Sequence, residues 1–164
     1  MANLTLQGNP INSISNLPKV GTKAPNFSLV AEDLKEMSLR DLSGSYLVLN
    51  IVPSFDTGTC QKSAIAFNEK LSELDCKLIN ISMDLPFAQK RFCSEEKIKS
   101  ASLSGFRNSN FGQDYGVTII DGPLKGLYSR AVIVINPNGE ITYAEQIAEI
   151  ANEPNYQAAI DSIK

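Results

Sequence analysis

YLVLNIVPSFDTGTC, residues 46–60, is the stretch on which the architecture turns. Tyr46 to Val52 is apolar apart from Asn50, with Gly44 before it and Pro53 after. That pattern predicts a strand buried on both faces. Beyond the polar loop, Cys60, Ala64, Phe67, Leu71 and Leu74 recur in steps of four, three, four and three. One apolar stripe of a helix has this spacing. A strand that runs through a short loop into a helix is the opening half of a β-α-β unit.

Working outward, the rest of such a fold follows. Cys76 to Ser82 predicts a second buried strand. Asp84-Leu85-Pro86 predicts an N-cap and a first-turn proline, opening a helix to about Lys97. Ala101 to Leu103 predicts a short strand, and 108–116 a polar, glycine-rich loop or single turn. Tyr128 to Ile135 predicts a strong strand, Asn136 to Gly139 a turn, and Glu140 to Ala144 its antiparallel partner. Pro154 to Ile163 predicts a terminal helix with Tyr156, Ala159, Ile160 and Ile163 inward. Upstream, Leu4 to Ser15 predicts a β-hairpin around Gly8-Asn9-Pro10. Leu17 to Phe27 reads as an extended connector, followed by a short strand to Val30. The expected architecture is α/β: one thioredoxin-like domain over 1–164, with a mixed central sheet flanked by helices and an N-terminal hairpin.

Composition narrows the chemistry. The 164 residues contain no histidine, which removes Ser-His-Asp triads, Cys-His dyads and His-ligated zinc or haem. Fifteen Lys+Arg against 18 Asp+Glu leave a net charge of −3, contrary to the basic face of a nucleic-acid binder. No apolar run approaches the ~20 residues that span a bilayer. The start lacks a basic segment followed by an apolar one, so no signal peptide is expected, and the expected location is cytoplasmic. Three cysteines, Cys60, Cys76 and Cys93, are too few and too irregular for a secreted disulfide framework, and no CxxC is present.

Cys60 is the residue placed for chemistry. With Thr57 as N-cap it is the third helical residue, and the Thr57 hydroxyl is expected to accept from its backbone N–H. First-turn amides and the positive dipole end favour an anion there. Ionisation alone gains little rate. A thiol of pKa ~8.5 is about 3% thiolate at pH 7, and one of ~6 about 90%. Lower basicity returns about a factor of ten of that gain. A fast enzyme must therefore also stabilise the leaving group.

The motif Pro53-Ser-Phe-Asp-Thr57-Gly-Thr-Cys60 resembles the P-x-x-x-T-x-x-C active site of the peroxiredoxins, in the form seen in bacterial thiol peroxidases. Asp84-Leu-Pro-Phe-Ala-Gln-Lys-Arg-Phe-Cys93, Phe111-Gly-Gln-Asp-Tyr-Gly-Val117, Asp121-Gly-Pro-Leu-Lys-Gly-Leu127, Ser129-Arg130-Ala-Val and Asn152-Glu-Pro-Asn-Tyr156 continue the resemblance along nearly the whole chain. It implies that Cys60 is the peroxidatic cysteine, attacking the peroxide O–O bond and becoming a sulfenic acid. Thr57 would place its hydroxyl on the thiolate and the peroxide. Pro53 would shield the site from water, and Arg130 would hold the thiolate and polarise the peroxide. Cys93 would be the resolving cysteine, forming an intramolecular disulfide that thioredoxin reduces. The implied substrates are hydrogen peroxide and alkyl hydroperoxides, the implied assembly is a homodimer, and no metal or bound cofactor is implied. Thr59 departs from the pattern, standing where an apolar residue is common.

Blander readings stand beside these. Cys60 and Cys93 could be buried, inert thiols, Thr57 only a cap, Pro53 only a strand terminator, and Arg130 one half of a structural ion pair. Cys76 starts a strand outside any motif and reads as structural. Phe87, Phe92 and Tyr115 read as core or wall, and Glu95, Glu96, Lys97 and Lys99 as a solvated helix end. Cys60-Gln-Lys-Ser63 also fits a glutaredoxin-like monothiol disulfide oxidoreductase, but such proteins carry a proline where this chain has Ser129-Arg130. A peroxide sensor is the non-enzymatic alternative. A disulfide needs Cα atoms about 4.4–6.8 Å apart. The reduced chain is therefore expected to keep the two sulfurs apart and to unwind around Cys60 or Cys93 when they join.

Overall fold

The computed structural model describes residues 3–107 and 110–163. Asn108 and Ser109, which open the expected polar loop, lie outside the described residues. In chain order the elements are β1 (Asn3–Leu6), β2 (Asn9–Asn12), β3 (Ser28–Ala31), β4 (Glu36–Ser38), α1 (Leu39–Leu42), β5 (Tyr46–Ile51) and α2 (Gly58–Lys70). They continue with β6 (Cys76–Ser82), α3 (Pro86–Glu95), β7 (Ala101–Ser104), α4 (Phe111–Asp114), β8 (Ala131–Ile135), β9 (Ile141–Gln146) and α5 (Tyr156–Asp161). β1 and β2 form the expected hairpin, and the main sheet runs β4-β3-β7-β6-β5-β8-β9. Parallel pairs β5–β6 and β6–β7 sit beside antiparallel pairs β5–β8 and β8–β9, so the sheet is mixed, as expected.

Alternation along β5 explains the layers. Leu47, Leu49 and Ile51 face a core shared with Ile79, Ile81, Ile133, Phe27, Phe111 and Tyr115. Val48 faces the other way, onto Phe67 and Leu71 of the α2 side and Ala159 of α5. Each fully buried aliphatic side chain contributes roughly 1.5–3 kcal/mol, which is why the central strands hold a register that a one-residue slip would destroy. Phe67 meets the Tyr156 ring edge-on at 4.9 Å, fastening α2 to α5. A third cluster caps the carboxyl end of the parallel strands: Val52, Phe55, Cys60, Ala64, Phe92, Cys93 and Ile98.

Several boundaries differ from expectation. The α2 stripe ends early: Leu71 is the C-cap and Leu74, beyond it, is exposed, because a turn in which the Leu74 N–H donates to the Leu71 carbonyl interrupts the helix. The N-cap of α3 is Leu85 rather than Asp84. Pro86 takes the first helical position, which puts the cap on the residue just before it. α3 stops at Glu95 because Lys97 turns left-handed, with φ 56°. The Ile98 N–H then reaches the Cys93 carbonyl at 2.9 Å and the Lys97 N–H the Ser94 carbonyl at 3.4 Å, a Schellman closure. β8 begins at Ala131, so Tyr128 to Arg130 precede the strand. α5 covers only Tyr156–Asp161. β4 and α1 were not foreseen, although Ser38 and Asp41 form a reciprocal capping box at the start of α1. Phe92 and Tyr115 are buried, but Phe87 is 66% exposed and belongs to no core.

Candidate active site

Sheet register builds the site. Ile51 pairs with Ile81 in the parallel ladder and with Ala131 in the antiparallel one. The loop leaving β5, the end of β6 and the residue entering β8 therefore emerge side by side. This is the carboxyl end of the parallel strands, where open α/β sheets place their sites. Pro53, Asp84 and Arg130 are brought there from separate parts of the chain.

The loop from Pro53 to Thr57 is pinned by Asp84. Its carboxylate accepts from the Ser54 hydroxyl at 2.7 Å, the Phe55 N–H at 2.8 Å and the Ser82 hydroxyl at 2.7 Å. Ser82 also accepts from Gln89 Nε2 of α3 at 3.0 Å, so one polar network links this loop to the helix that carries Cys93. Asp84 is therefore a positioning group that the sequence reading misassigned as a cap. Its acidic side chain two residues after a buried strand is the available signal.

Thr57 is the N-cap of α2, and Cys60 is the third helical residue, as expected. The expected cap hydrogen bond is not made. The Thr57 hydroxyl instead donates back to the Ser54 carbonyl at 3.1 Å, tightening the loop. Thr59 ties the first turn outward, its hydroxyl donating to the Ala151 carbonyl at 3.0 Å. Ser63 closes on the Cys60 carbonyl at 2.9 Å.

Cys60 is fully buried, with 0% exposure, and Arg130 beside it is 2% exposed. Arg130 Nη2 donates to Cys60 Sγ at 3.3 Å, and Nε donates to the Ile150 carbonyl at 2.9 Å. Nη1 has no protein acceptor among the described residues. The ion pair seen among the described residues joins Arg91 to Asp56 on the surface, so no carboxylate there neutralises Arg130. An uncompensated buried charge is costly, and the group that faces this one is a sulfur.

A cavity of about 240 Å³ opens beside Arg130, lined by Pro53, Thr57, Leu6, Leu124 and Ile150 among others, with Cys60 behind Arg130 and outside the lining. Pro53, Thr57, Cys60 and Arg130 are thus assembled in one place. Cys93 lies on α3 in the same apolar cluster as Cys60, 6% exposed, its sulfur 3.1 Å from the Ser102 hydroxyl. Burial raises the Cys93 thiol above its ordinary range, and nearby Glu32 adds to this, while the Ser102 contact works against it. Cys76 is half-buried at the start of β6, away from the site, and burial followed by Asp75 raises its thiol too. All three cysteines are free thiols. No group of three or more His, Cys, Asp or Glu side chains among the described residues could hold a metal ion. No helix among them is long and apolar enough to cross a membrane.

The Redoxin family model matches residues 19–160. The thiol peroxidase of Mycobacterium bovis is 46% identical over 164 residues, 99% of each chain, and that of Mycobacterium tuberculosis matches to the same extent. The chain belongs to the peroxiredoxins, in their thiol peroxidase subfamily. It is accordingly a peroxidase, an oxidoreductase that acts on peroxide. Among solved structures, a peroxiredoxin-like protein from Aquifex aeolicus superposes with a TM-score of 0.92 at 36% identity, covering 98% of this chain and 95% of that one. The thiol peroxidase of Chromobacterium violaceum shares the fold with a TM-score of 0.89 at 24% identity, over 98% of this peroxiredoxin and 95% of its own chain.

Proposed function

We propose that this peroxiredoxin reduces hydrogen peroxide and organic hydroperoxides through Cys60, resolves the oxidised sulfur with Cys93 as an intramolecular disulfide, and is returned to the dithiol by thioredoxin. The observation that carries the reading is the 3.3 Å approach of the buried Arg130 guanidinium to Cys60 Sγ. A charge-assisted hydrogen bond of that kind holds a thiolate in place. The Nη1 of the same cation has no protein acceptor among the described residues, which would leave it free for a peroxide oxygen as the O–O bond lengthens.

The chemistry balances at each step. The Cys60 thiolate attacks one peroxide oxygen, an S–O bond forms and the O–O bond breaks. The departing oxygen takes a proton and leaves as water or an alcohol. The Cys93 thiol then attacks the sulfenic sulfur, the S–S bond forms, and water leaves. A thioredoxin dithiol reduces that disulfide and becomes a disulfide itself. Pro53 walls the site, and Thr57, whose hydroxyl is turned to Ser54 in this state, lines the same cavity and would meet the substrate there. Leu6, Leu124, Leu127 and Ile150 give the cavity an apolar wall suited to an alkyl hydroperoxide.

Cys60 is held by Arg130 and Cys93 by Ser102, each on its own helix, so joining the two sulfurs is expected to unwind one of these segments. Leu85 and Phe87, 50% and 66% exposed at the start of α3, support a second copy of the chain as partner at this end of the sheet. A reduced-thiol chemistry that depends on thioredoxin fits a cytoplasmic setting.

The test follows NADPH consumption with thioredoxin, its reductase and hydrogen peroxide. Turnover that disappears in Cys60→Ser supports the reading. Activity confined to glutathione mixed disulfides would instead assign a disulfide oxidoreductase. A single oxidation without turnover would assign a sensor.

A further inference from the structure

Glu149 collects four donors on one carboxylate. Oε1 accepts from the Gln7 N–H at 2.8 Å and the Ala151 N–H at 3.1 Å. Oε2 accepts from the Thr5 hydroxyl at 2.6 Å and the Gly8 N–H at 3.1 Å. Three of these donors belong to the N-terminal hairpin. The backbone adds two more ties: the Thr5 N–H donates to the Ala148 carbonyl at 2.8 Å, and the Ile150 N–H to the Thr5 carbonyl at 2.9 Å. Glu149 thus welds the hairpin to the segment that follows β9.

The next two carbonyls of that segment reach the active site. The Ile150 carbonyl accepts from Arg130 Nε, and the Ala151 carbonyl accepts from the Thr59 hydroxyl in the first turn of α2. The guanidinium is planar and rigid, so fixing Nε fixes where both Nη groups point. Among the described residues, the Ile150 carbonyl is the acceptor besides Cys60 that the Arg130 guanidinium reaches.

We propose that Glu149 is a positioning residue for the peroxidase reaction: its carboxylate locks the Ile150–Ala151 backbone and, through the Ile150 carbonyl, aims Arg130 at Cys60. These hydrogen bonds, that of the Thr5 hydroxyl foremost, hold the Glu149 carboxyl down to about 2, so the clamp is fully ionised at neutral pH. Glutamine cannot replace it. One amide oxygen is left to accept, and the amide NH₂ is turned against two donors. Aspartate keeps the charge but is one methylene shorter.

The inference rests on the reading of Arg130 and Cys60 as the reacting pair, and the test separates the two. In the reduced full-length protein, the rate constant of Cys60 with hydrogen peroxide is read by competition with a peroxide-reactive dye. Glu149→Gln is expected to lower it about tenfold, the cost of one misaimed charge-assisted contact. Glu149→Asp is expected to recover part of the loss. Thr5→Val, which removes one of the four bonds and spares the carboxylate, is expected to lower the rate about two- to fivefold and gives the answer if Glu149→Gln does not fold. In an Arg130→Gln background, Glu149→Gln is expected to add nothing, since residues acting through one contact are not additive. Wild-type rates in Glu149→Gln and Thr5→Val, with Arg130→Gln impaired, would overturn the inference. So would a Glu149→Gln loss that multiplies with that of Arg130→Gln, or a fall in Tm without change in rate. An unimpaired Arg130→Gln would overturn the reading of the reacting pair instead.

Discussion

The rings of Phe55 and Phe92 stack at 5.1 Å between centroids, 17° from parallel. Phe55 belongs to the loop that delivers Cys60, and Phe92 adjoins Cys93 on α3. The two segments that carry the thiols, one of which unwinds on the proposed mechanism, are thus fastened to each other by an aromatic contact as well as by polar ones. Such a contact adds about 0.5–1.5 kcal/mol beyond its buried area. In Phe92→Leu, opening is expected to become roughly two- to tenfold easier, from that range converted at 1.4 kcal/mol per decade. The disulfide is expected to form faster after one equivalent of peroxide. Less sulfinic acid is expected at excess peroxide, read by mass spectrometry.

The left-handed turn at Lys97 acts in the opposite sense. A non-glycine residue there costs about 1–2 kcal/mol, of which glycine's extra chain entropy returns about 0.5–1. Lys97→Gly is expected to tighten the last turn of α3, where Cys93 holds the closing carbonyl. Disulfide closure is expected to slow by up to about fivefold and overoxidation to rise, while the reaction of Cys60 with peroxide stays unchanged.

Asp84 receives three donors from Ser54, Phe55 and Ser82. Asp84→Asn removes the charge and turns an NH₂ toward that cluster, at a cost of about 1–3 kcal/mol. The Pro53–Thr57 loop is expected to loosen. The rate of Cys60 with peroxide is expected to fall about tenfold, with faster amide exchange at Phe55 in hydrogen-exchange measurements.

Acid is expected to act on the hairpin clamp. Glu149 falls from an ordinary 4.5 to about 2 in the folded chain, so its contribution is complete above about 4.5 and is lost as pH falls toward 2. The wild type is expected to lose Tm through that window, relative to Glu149→Gln, which lacks this titration. The gap between them, wide at pH 7, is expected to close below about 2.

The thiols are expected to divide by role. Cys93→Ser should consume one equivalent of peroxide and then stall with thioredoxin. Cys76→Ser, altering a half-buried strand start away from the site, should turn over like the wild type. A stalled Cys76→Ser would reassign the resolving cysteine.

The apolar runs of β5, β6 and β8 could be read directly, because strands buried on both faces need nothing but apolar residues. β4 and α1, three and four residues long, leave no periodicity to read, and only the spacing of Ser38 and Asp41 marked them. The α3 cap was misread by one residue because a proline fixes the first helical position, not the cap itself. Cys60, Thr57 and Pro53 announced themselves as a local motif. The meeting of Cys60 with Arg130 came only from the family resemblance, since the cause is the pairing of Ile51 with Ala131 across the sheet. Glu149 carries no local signal: three of its four partners lie more than 140 residues earlier, and a glutamate on a polar stretch looks solvated.

Among the described residues no carboxylate opposes the charge of Arg130, so on the proposed mechanism the ionised sulfur is its counter-charge. Oxygen transfer, or a bridge to Cys93, would leave that sulfur neutral and strand a cation in an apolar interior. The spent protein would then be strained in a way the fresh one is not, and reduction by thioredoxin would relieve it by restoring the anion.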